Sequence, residues 1–537
     1  MKFAHQRLSF VLAGTMIVLF FFSIACKSKN TPDKKEGATN SENVRKLTVP
    51  KFKTYSWIQT NFIHPDSIYA IEHTAIIQKA EVRPYSRNVV VSHSDKVLKF
   101  KLPAAGHYVA YLNDFKVCIF AEPKEIVPTG TDVVVLTGCN TTGTVNETAK
   151  LQQAINDIAG TGKTLFFPKG KYLTNQLRIK DKIGVKLYLE RGAEIVMDTL
   201  KAGLTSTSVR DIFGTGPSTI PNGKTNWTES RAFILIDNSK NVEFKGYGTF
   251  NGRGRAARRN AVVENGSESN GRFRNFLITR SENVLIDGIV SADPGTWNTH
   301  VILSKDVTCR NMKLLNELNY APIPGNLNNI DYDNINTDGF DIDASTNTLI
   351  QDCFGYCADD NIAVKTSEYC GLLGPLDGLL VERCVFLTQK SSLKVGTETG
   401  GAYMNNIIFR NNDVIEADRA LALYCYDGAV MENILYKNNR IEENHPNRNR
   451  AVVFFEIKPR QVNGLVGKAS ITVEDTYVHS AFPNNSRIIY SNTGAANSGG
   501  KGSDLQVQIT NFYIEGKKIT NITDQFNQSG GPAVSIK

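Results

Sequence analysis

From residue 240 onward, apolar and polar positions alternate in short runs, and the runs look alike. KNVEFKG (240–246), ENVLIDG (282–288), KDVTCRN (305–311), TNTLIQD (346–352), NNIIFRN (405–411) and ENILYKN (432–438) share one plan. Each has a polar turn residue, an apolar-alternating strand, and a second turn that often ends in Asn or Gly. Alternation with period two predicts strands with one buried face. Repetition at near-constant intervals predicts that the strands stack in a coil. Between equivalent positions the step is 23 residues from Asn283 to Asp306 and 27 from Asn406 to Asn433. The gap of 41 from Asp306 to Asn347 reads as an extra rung or a loop insertion. Such steps suit one turn of a three-sheet solenoid in which Val, Ile and Leu stack over the rung below. An antiparallel sandwich needs tight hairpin dipeptides between these strands, and they are scarce. The expectation is an all-β chain whose body, 129–537, is a right-handed parallel β-helix.

The segment ahead of the coil has another texture. KFKL (99–102), HYVAYL (107–112) and KVCIFA (116–121) alternate between Pro, Gly and Asp turns, which predicts a small β-sandwich of antiparallel strands over 45–128. A helix follows over Glu147–Ala159, with Leu151, Ala154, Ile155 and Ile158 on one side. Placed over the first rung, it would hide the coil's open apolar end. Residues 1–26 read as an export leader: Lys2 and Arg7, then an apolar run over 8–25, then Cys26. The order looks like that of a bacterial lipoprotein, with Cys26 as the lipidated residue and 27–44 as a polar tether. The expected location is therefore outside the cytoplasm, membrane-anchored only through lipid. No later segment reaches the roughly 18 apolar residues that a spanning helix needs.

Composition narrows the partners. The chain is 41% hydrophobic and 21% charged, which excludes a largely disordered protein. The net charge of +8 is spread over 537 residues without the dense clusters that nucleic acid selects. Eight cysteines remain beyond Cys26. Cys353, Cys357, Cys370 and Cys384 lack zinc-finger spacing and have no histidine among them. A Cys357–Cys370 bridge and a stack of buried free thiols both fit. The sequence is silent on oligomeric state.

The chemistry concentrates in NTDGFDIDASTNTLIQDCFGYCADDNIAVKT, which begins at Asn336. Asp338, Asp341 and Asp343 are followed by Asp359 and Asp360, and the interval from Asp338 to Asp359 is 21 residues, close to one rung. Stacked rungs lie ~4.8 Å apart, so a carboxylate cluster on one sheet follows. Crowded carboxylates repel, and one retains its proton to higher pH. Glycoside cleavage needs that pairing: a protonated group beside the leaving oxygen and an ionised one that activates water. Asp359 and Asp360 are adjacent, so both reach one cleft only if the chain bends near Ala358.

NTDG, then a doubled aspartate one turn later and an apolar strand, resembles the polygalacturonase-type glycosidases; the dextranase and isopullulanase group carries a similar trio. The segment 166–195 is similar to the entry rungs of polygalacturonases, and the front sandwich resembles that of the dextranase group. The resemblance implies a pectin-lyase-like coil and an inverting hydrolase of a polysaccharide. In it Asp359 is the general acid and Asp338 and Asp360 activate water, with no metal or organic cofactor. Two departures concern the substrate. Where polygalacturonases carry Gly-His-Gly, this chain reads SSLKVGTETGG (391–401). Where they carry Arg-Ile-Lys, it keeps Arg419 but has Leu421 in place of the lysine. Candidate sugar contacts are Asn336, Trp297, His300, Lys365, Lys394, Glu398, Arg419 and Tyr424. Trp297 would serve as a platform, His300 would bind a hydroxyl, and Lys365 would bind substrate or pair with Asp359 or Asp360. Two other readings compete. A polysaccharide lyase would use Arg419 or Lys394 as base and could recruit calcium, and a non-catalytic carbohydrate-binding solenoid would use no base at all.

Overall fold

The computed structural model describes residues 44–47, 55–199, 231–265, 271–316, 336–367, 374–400, 403–444, 451–480, 485–496 and 500–537. The leader, Cys26 and Cys370 lie outside these residues. From Val133 to Ile536 the chain winds into a parallel β-helix, and most turns lay one strand on each of three sides. The sequence repeats form the first side, with Lys240–Gly246, Glu282–Asp287, Lys305–Arg310 and Thr346–Gln351 pairing in parallel, in order. Lys305 pairs directly with Thr346, so the gap of 41 is an insertion and not an extra rung. Between the runs at 346 and 405 an additional strand, Leu376–Glu382, intervenes.

The repeated Asn and Asp residues have a conformational cause. Asn241, Asn283, Asp306, Asn347, Asn406 and Asn433 all adopt the left-handed region, with φ between +52° and +56°. These short polar residues tolerate that corner better than bulkier ones do, and at the intervening rung Gly378 takes it at +77°. The corner side chains also bond along the stack, Asn283 to Asn241 at 2.7 Å and Asn433 to Asn406 at 3.1 Å. Inside, apolar side chains from all three sides form one continuous core.

The helix Thr148–Ile158 buries Leu151, Ile155 and Ile158 against the first rung, where Leu165 and Phe167 would otherwise meet water. A second helix, Gly254–Asn265, follows the strand Thr249–Asn251. Its Ala257, Arg258 and Ala261 are buried, and Arg258 donates to the carbonyl of Gly295 at 2.6 Å.

Residues Val44–Leu47 and 55–122 form two four-stranded sheets around Tyr69, Phe100, Leu112 and Ile119. The pairing is mixed instead of wholly antiparallel: Val44–Leu47 runs parallel to Ile68–Glu72, and Tyr55–Asn61 parallel to Phe115–Glu122. This unit seats Val109, Cys118 and Phe120 on Val290, Leu315, Phe354, Leu387 and Ile415 of the second side of the coil. The Cys309, Cys353 and Cys384 thiols are free and buried; Cys353 and Cys384 are neighbours in the stack. Cys357 is likewise a buried free thiol.

Candidate functional site

The third side of the coil is an eleven-stranded parallel sheet. Its register carries Phe276, Thr299, Phe340, Ile362, Leu393 and Leu421 in one buried row. Two residues ahead of these stand Arg274, Trp297, Asp338, Asp360, Ser391 and Arg419. That is where each strand leaves its corner. A second line faces outward between core positions: His300, Asp341, Ala363, Lys394 and Ala422. A third carries Ile302, Asp343 and Lys365.

Phe340 pairs with Ile362, a step of 22 residues, so Asp338 is level with Asp360 and not with Asp359 as the 21-residue interval suggested. Asp359 sits in the bend at Ala358 and Asp359, which turns it toward the same place. One carboxylate oxygen from each of Asp338, Asp359 and Asp360 lies within 4.8 Å of the other two. Three carboxylates therefore converge.

Their surroundings push their protonation apart. Burial, and then the negative charges of Asp338 and Asp360, raise Asp359 well above the ordinary carboxylate range. Burial also pushes Asp338 up to about 6, with Lys365 pulling against it and Asp360 adding to it. Burial works against ionised Asp360 as well, but Lys394 and Arg419 outweigh it and hold this carboxyl below its usual value. Lys394 Nζ lies 2.5 Å from Asp360 Oδ2, and the Ser391 amide donates to Asp360 Oδ1 at 2.8 Å. Asn336 donates to Asp359 Oδ2 at 3.4 Å.

The other expected contacts lie around the trio, with changed partners. Lys365 pairs with Asp341 at 2.7 Å and lies 3.7 Å from both Asp338 and Glu398. The spacing on the strand, not sequence proximity, sets this: Lys365 points out five residues beyond Asp360. His300 is buried and takes a bond from Arg274 Nε at 3.0 Å, with Asp343 at 3.6 Å, so it faces protein and not an open groove. Trp297 is half-buried with Lys365 Nζ 3.6 Å from its ring centroid. Tyr424 is buried, with Lys394 Nζ 5.5 Å and Arg419 Cζ 5.9 Å from its ring centroid. Glu398 has Arg460 at 4.0 Å on its far side.

Three groups escaped the sequence reading as contacts. Asp341 was counted only within the carboxylate cluster, although its place between buried Phe340 and Ile342 marks it as outward. Arg274 is found by counting two residues ahead of the buried row. Lys390, whose charge opposes the rise at Asp359, carries no sequence signal. Leu421 lies in the core between Leu393 and Val453. The position at which the resemblance places a lysine therefore points into the core.

Fold and site together define a parallel β-helix protein with three converging carboxylates on one side of the coil. The chain belongs to the glycosyl hydrolases family 28, whose sequence model matches residues 164–449. A probable polygalacturonase from Vitis vinifera is 28% identical over 125 residues, which span 22% of this chain and only 23% of that relative. Among solved structures, the family 28 exopolygalacturonase of Yersinia enterocolitica is similar over 82% of this chain and 85% of its own, with TM-score 0.54 and 15% identity. A hyperthermoactive exopolygalacturonase from Thermotoga maritima is similar over 77% and 91%, with TM-score 0.54 and 18% identity. Dex49A from Penicillium minioluteum is similar over 90% and 83%, with TM-score 0.51 and 13% identity. At these identities the likeness is one of fold.

Proposed function

We propose that this chain hydrolyses glycosidic bonds of a polysaccharide with inversion. Asp359 gives its proton to the leaving oxygen, while Asp338 and Asp360 take a proton from the attacking water. The observation that carries the reading is the convergence of the trio within 4.8 Å, with one member held protonated and another ionised. A water about 2.8 Å from an oxygen of each base bridges a gap of that size. The spacing is tighter than the ~6.5–9.5 Å usual between carboxyl groups of an inverting pair. The anomeric form of the product is thus the decisive readout.

Elimination is disfavoured by the same surroundings. Asp360 beside Lys394 raises the lysine above its ordinary value despite burial, which leaves an ammonium and not a base. The substrate class follows less from the groove than from the relatives: a polygalacturonase-like or dextranase-like polysaccharide supports the reading equally, since Leu421 offers no cation. The leader and Cys26 support an exported, lipid-tethered enzyme, and Cys26→Ser should release it from the membrane fraction.

The test incubates the protein with a panel of plant and algal polysaccharides and follows product size and anomeric configuration by proton NMR. Inverted sugars without ultraviolet-absorbing ends are expected, with activity insensitive to chelator. Asp359→Asn and Asp360→Asn should each lower kcat by about 10²–10⁴. Retained configuration, or unsaturated products, would overturn the mechanism.

A further inference from the structure

We infer that Lys394 is a positioning residue for the base Asp360 and not a sugar contact. Lys394 stands on the outward line of the third side, one rung beyond Asp360, and its register neighbours there are Ala363 and Ala422. Two alanines leave the lysine stem room to lie along the sheet. Crossing Ala363, it brings Nζ to Asp360 Oδ2 at 2.5 Å. The other oxygen accepts the Ser391 amide at 2.8 Å. Both oxygens of Asp360 are therefore held by donors on a single strand, Ser391–Thr399. Lys394 is 9% exposed, and its Nζ is committed to the pair with Asp360.

The segment 391–401 has no histidine where polygalacturonases carry Gly-His-Gly. In this segment a backbone amide and a lysine three residues later hold Asp360. Charged and titratable groups facing this pair are Asp359, Asp338, Lys365, Arg419 and Tyr424, with Glu398 beyond. Among them Lys394 is the cation in direct contact with Asp360. Arg419 acts at longer range, and Lys365 is engaged by Asp341. An ammonium fixed on one carboxylate in a crowded trio decides which member stays ionised.

The inference rests on Asp360 serving as base, yet the two can fail separately. The experiment titrates carboxyl-labelled aspartate by carbon NMR in the full chain, with Asp360 assigned through Asp360→Asn. Wild type, Lys394→Gln and Lys394→Arg are compared, and thermal melting monitors their folding. In wild type Asp360 should titrate below the ordinary carboxylate range. Lys394→Gln should raise its midpoint by about 1–3 pH units, and kcat on a cleaved polysaccharide at pH 5 should fall with the fraction of Asp360 left ionised, by about tenfold for a midpoint near 6. Lys394→Arg should keep the low midpoint, and it carries the test if the glutamine variant does not fold: a raised midpoint there would deny that the cation's charge sets it. An unmoved Asp360 midpoint in a folded Lys394→Gln, or a raised KM with kcat and its pH profile unchanged, would overturn the inference. If wild type cleaves no polysaccharide, the hydrolytic reading fails while the titration still reports on Lys394.

Discussion

The ammonium of Lys365 lies 3.6 Å from the centroid of the Trp297 ring, over its face. Arg274 Cζ is 4.8 Å from the same centroid, and the His300 ring meets it edge-on at 5.0 Å. A ring so occupied is poorly placed to act as an open sugar platform. It serves better as a wall that keeps Lys365 between Asp341, Asp338 and Glu398. A desolvated cation–π contact contributes about 2 kcal/mol, enough to fix a long side chain in one rotamer.

Trp297→Leu should therefore lower kcat by roughly tenfold or more while KM changes little, because Lys365 loses its wall and Asp338 loses its orientation. Trp297→Phe, which keeps a ring face, should lose less. Steady-state kinetics on a cleaved polysaccharide distinguish the two roles: a large rise in KM with kcat preserved would restore the platform.

The pH profile of kcat/KM should be bell-shaped, with limbs that belong to the coupled trio. Asp338 must be ionised to help activate water, and burial pushes it up to about 6. Activity should rise as pH climbs through that region. Asp359 must be protonated, and burial with two negative neighbours keeps it so well above the ordinary range. Activity should fall again as it ionises. Asp360, held down by Lys394, is ionised throughout and adds no limb. An acid limb near the ordinary carboxylate value of about 4 would contradict this ordering.

Much of this was legible in the sequence because two simple rules act repeatedly. Asn and Asp recur at one corner because that corner needs a left-handed residue, so Asn283 to Asp306 measures a rung. Alternation about buried Phe340 and Ile362 marks Asp341 and Lys365 as outward. What stayed hidden depends on the third dimension. The pairing of Lys365 with Asp341 is set by a register step of 22, where the spacing of aspartates suggested 21, and that of Lys394 with Asp360 by the next step, which pairs Ile362 with Leu393. The burial of His300 depends on Arg274, a rung away with no motif. The mixed pairing of the front sheets joins strands far apart in sequence, where alternation alone says nothing of direction.

The front unit is fastened to the coil by buried charges as well as apolar contacts. Lys313 of the coil is fully buried, pairs with Glu122 of the front unit, and donates to the Gly288 carbonyl at 2.9 Å. Asn311 donates to the same glutamate at 2.9 Å. Lys313→Met would leave the buried Glu122 carboxylate without its cation, a loss of about 3–5 kcal/mol. Lys313→Met combined with Glu122→Met should recover most of it, since no uncompensated charge remains. Urea unfolding of both variants checks this; equal losses would show that the pair itself, and not the stranded charge, carries the stability.

Glu442 lies at the same junction and carries a different pH signature. Its Oε1 accepts the Tyr85 amide at 2.5 Å, while Arg83, 4.0 Å from Oε2, is already engaged by Glu81 at 2.6 Å and Glu443 at 2.7 Å. Burial pushes this carboxyl up to about 8, with Arg83 pulling against it and Asp413 and Glu81 adding to it. The folded chain thus keeps a proton that the unfolded chain gives up above about pH 4.3. Its stabilising effect is complete below that value and is lost as pH rises toward about 8, where the folded state must ionise too. Glu442→Gln keeps an acceptor for the Tyr85 amide and cannot ionise. Its urea midpoint should match wild type near pH 5 and exceed it at pH 8, with a difference on the order of 3 kcal/mol. Parallel curves for the two proteins between those pH values would mean that Glu442 is ionised in the folded state and that Arg83, despite its other partners, neutralises it.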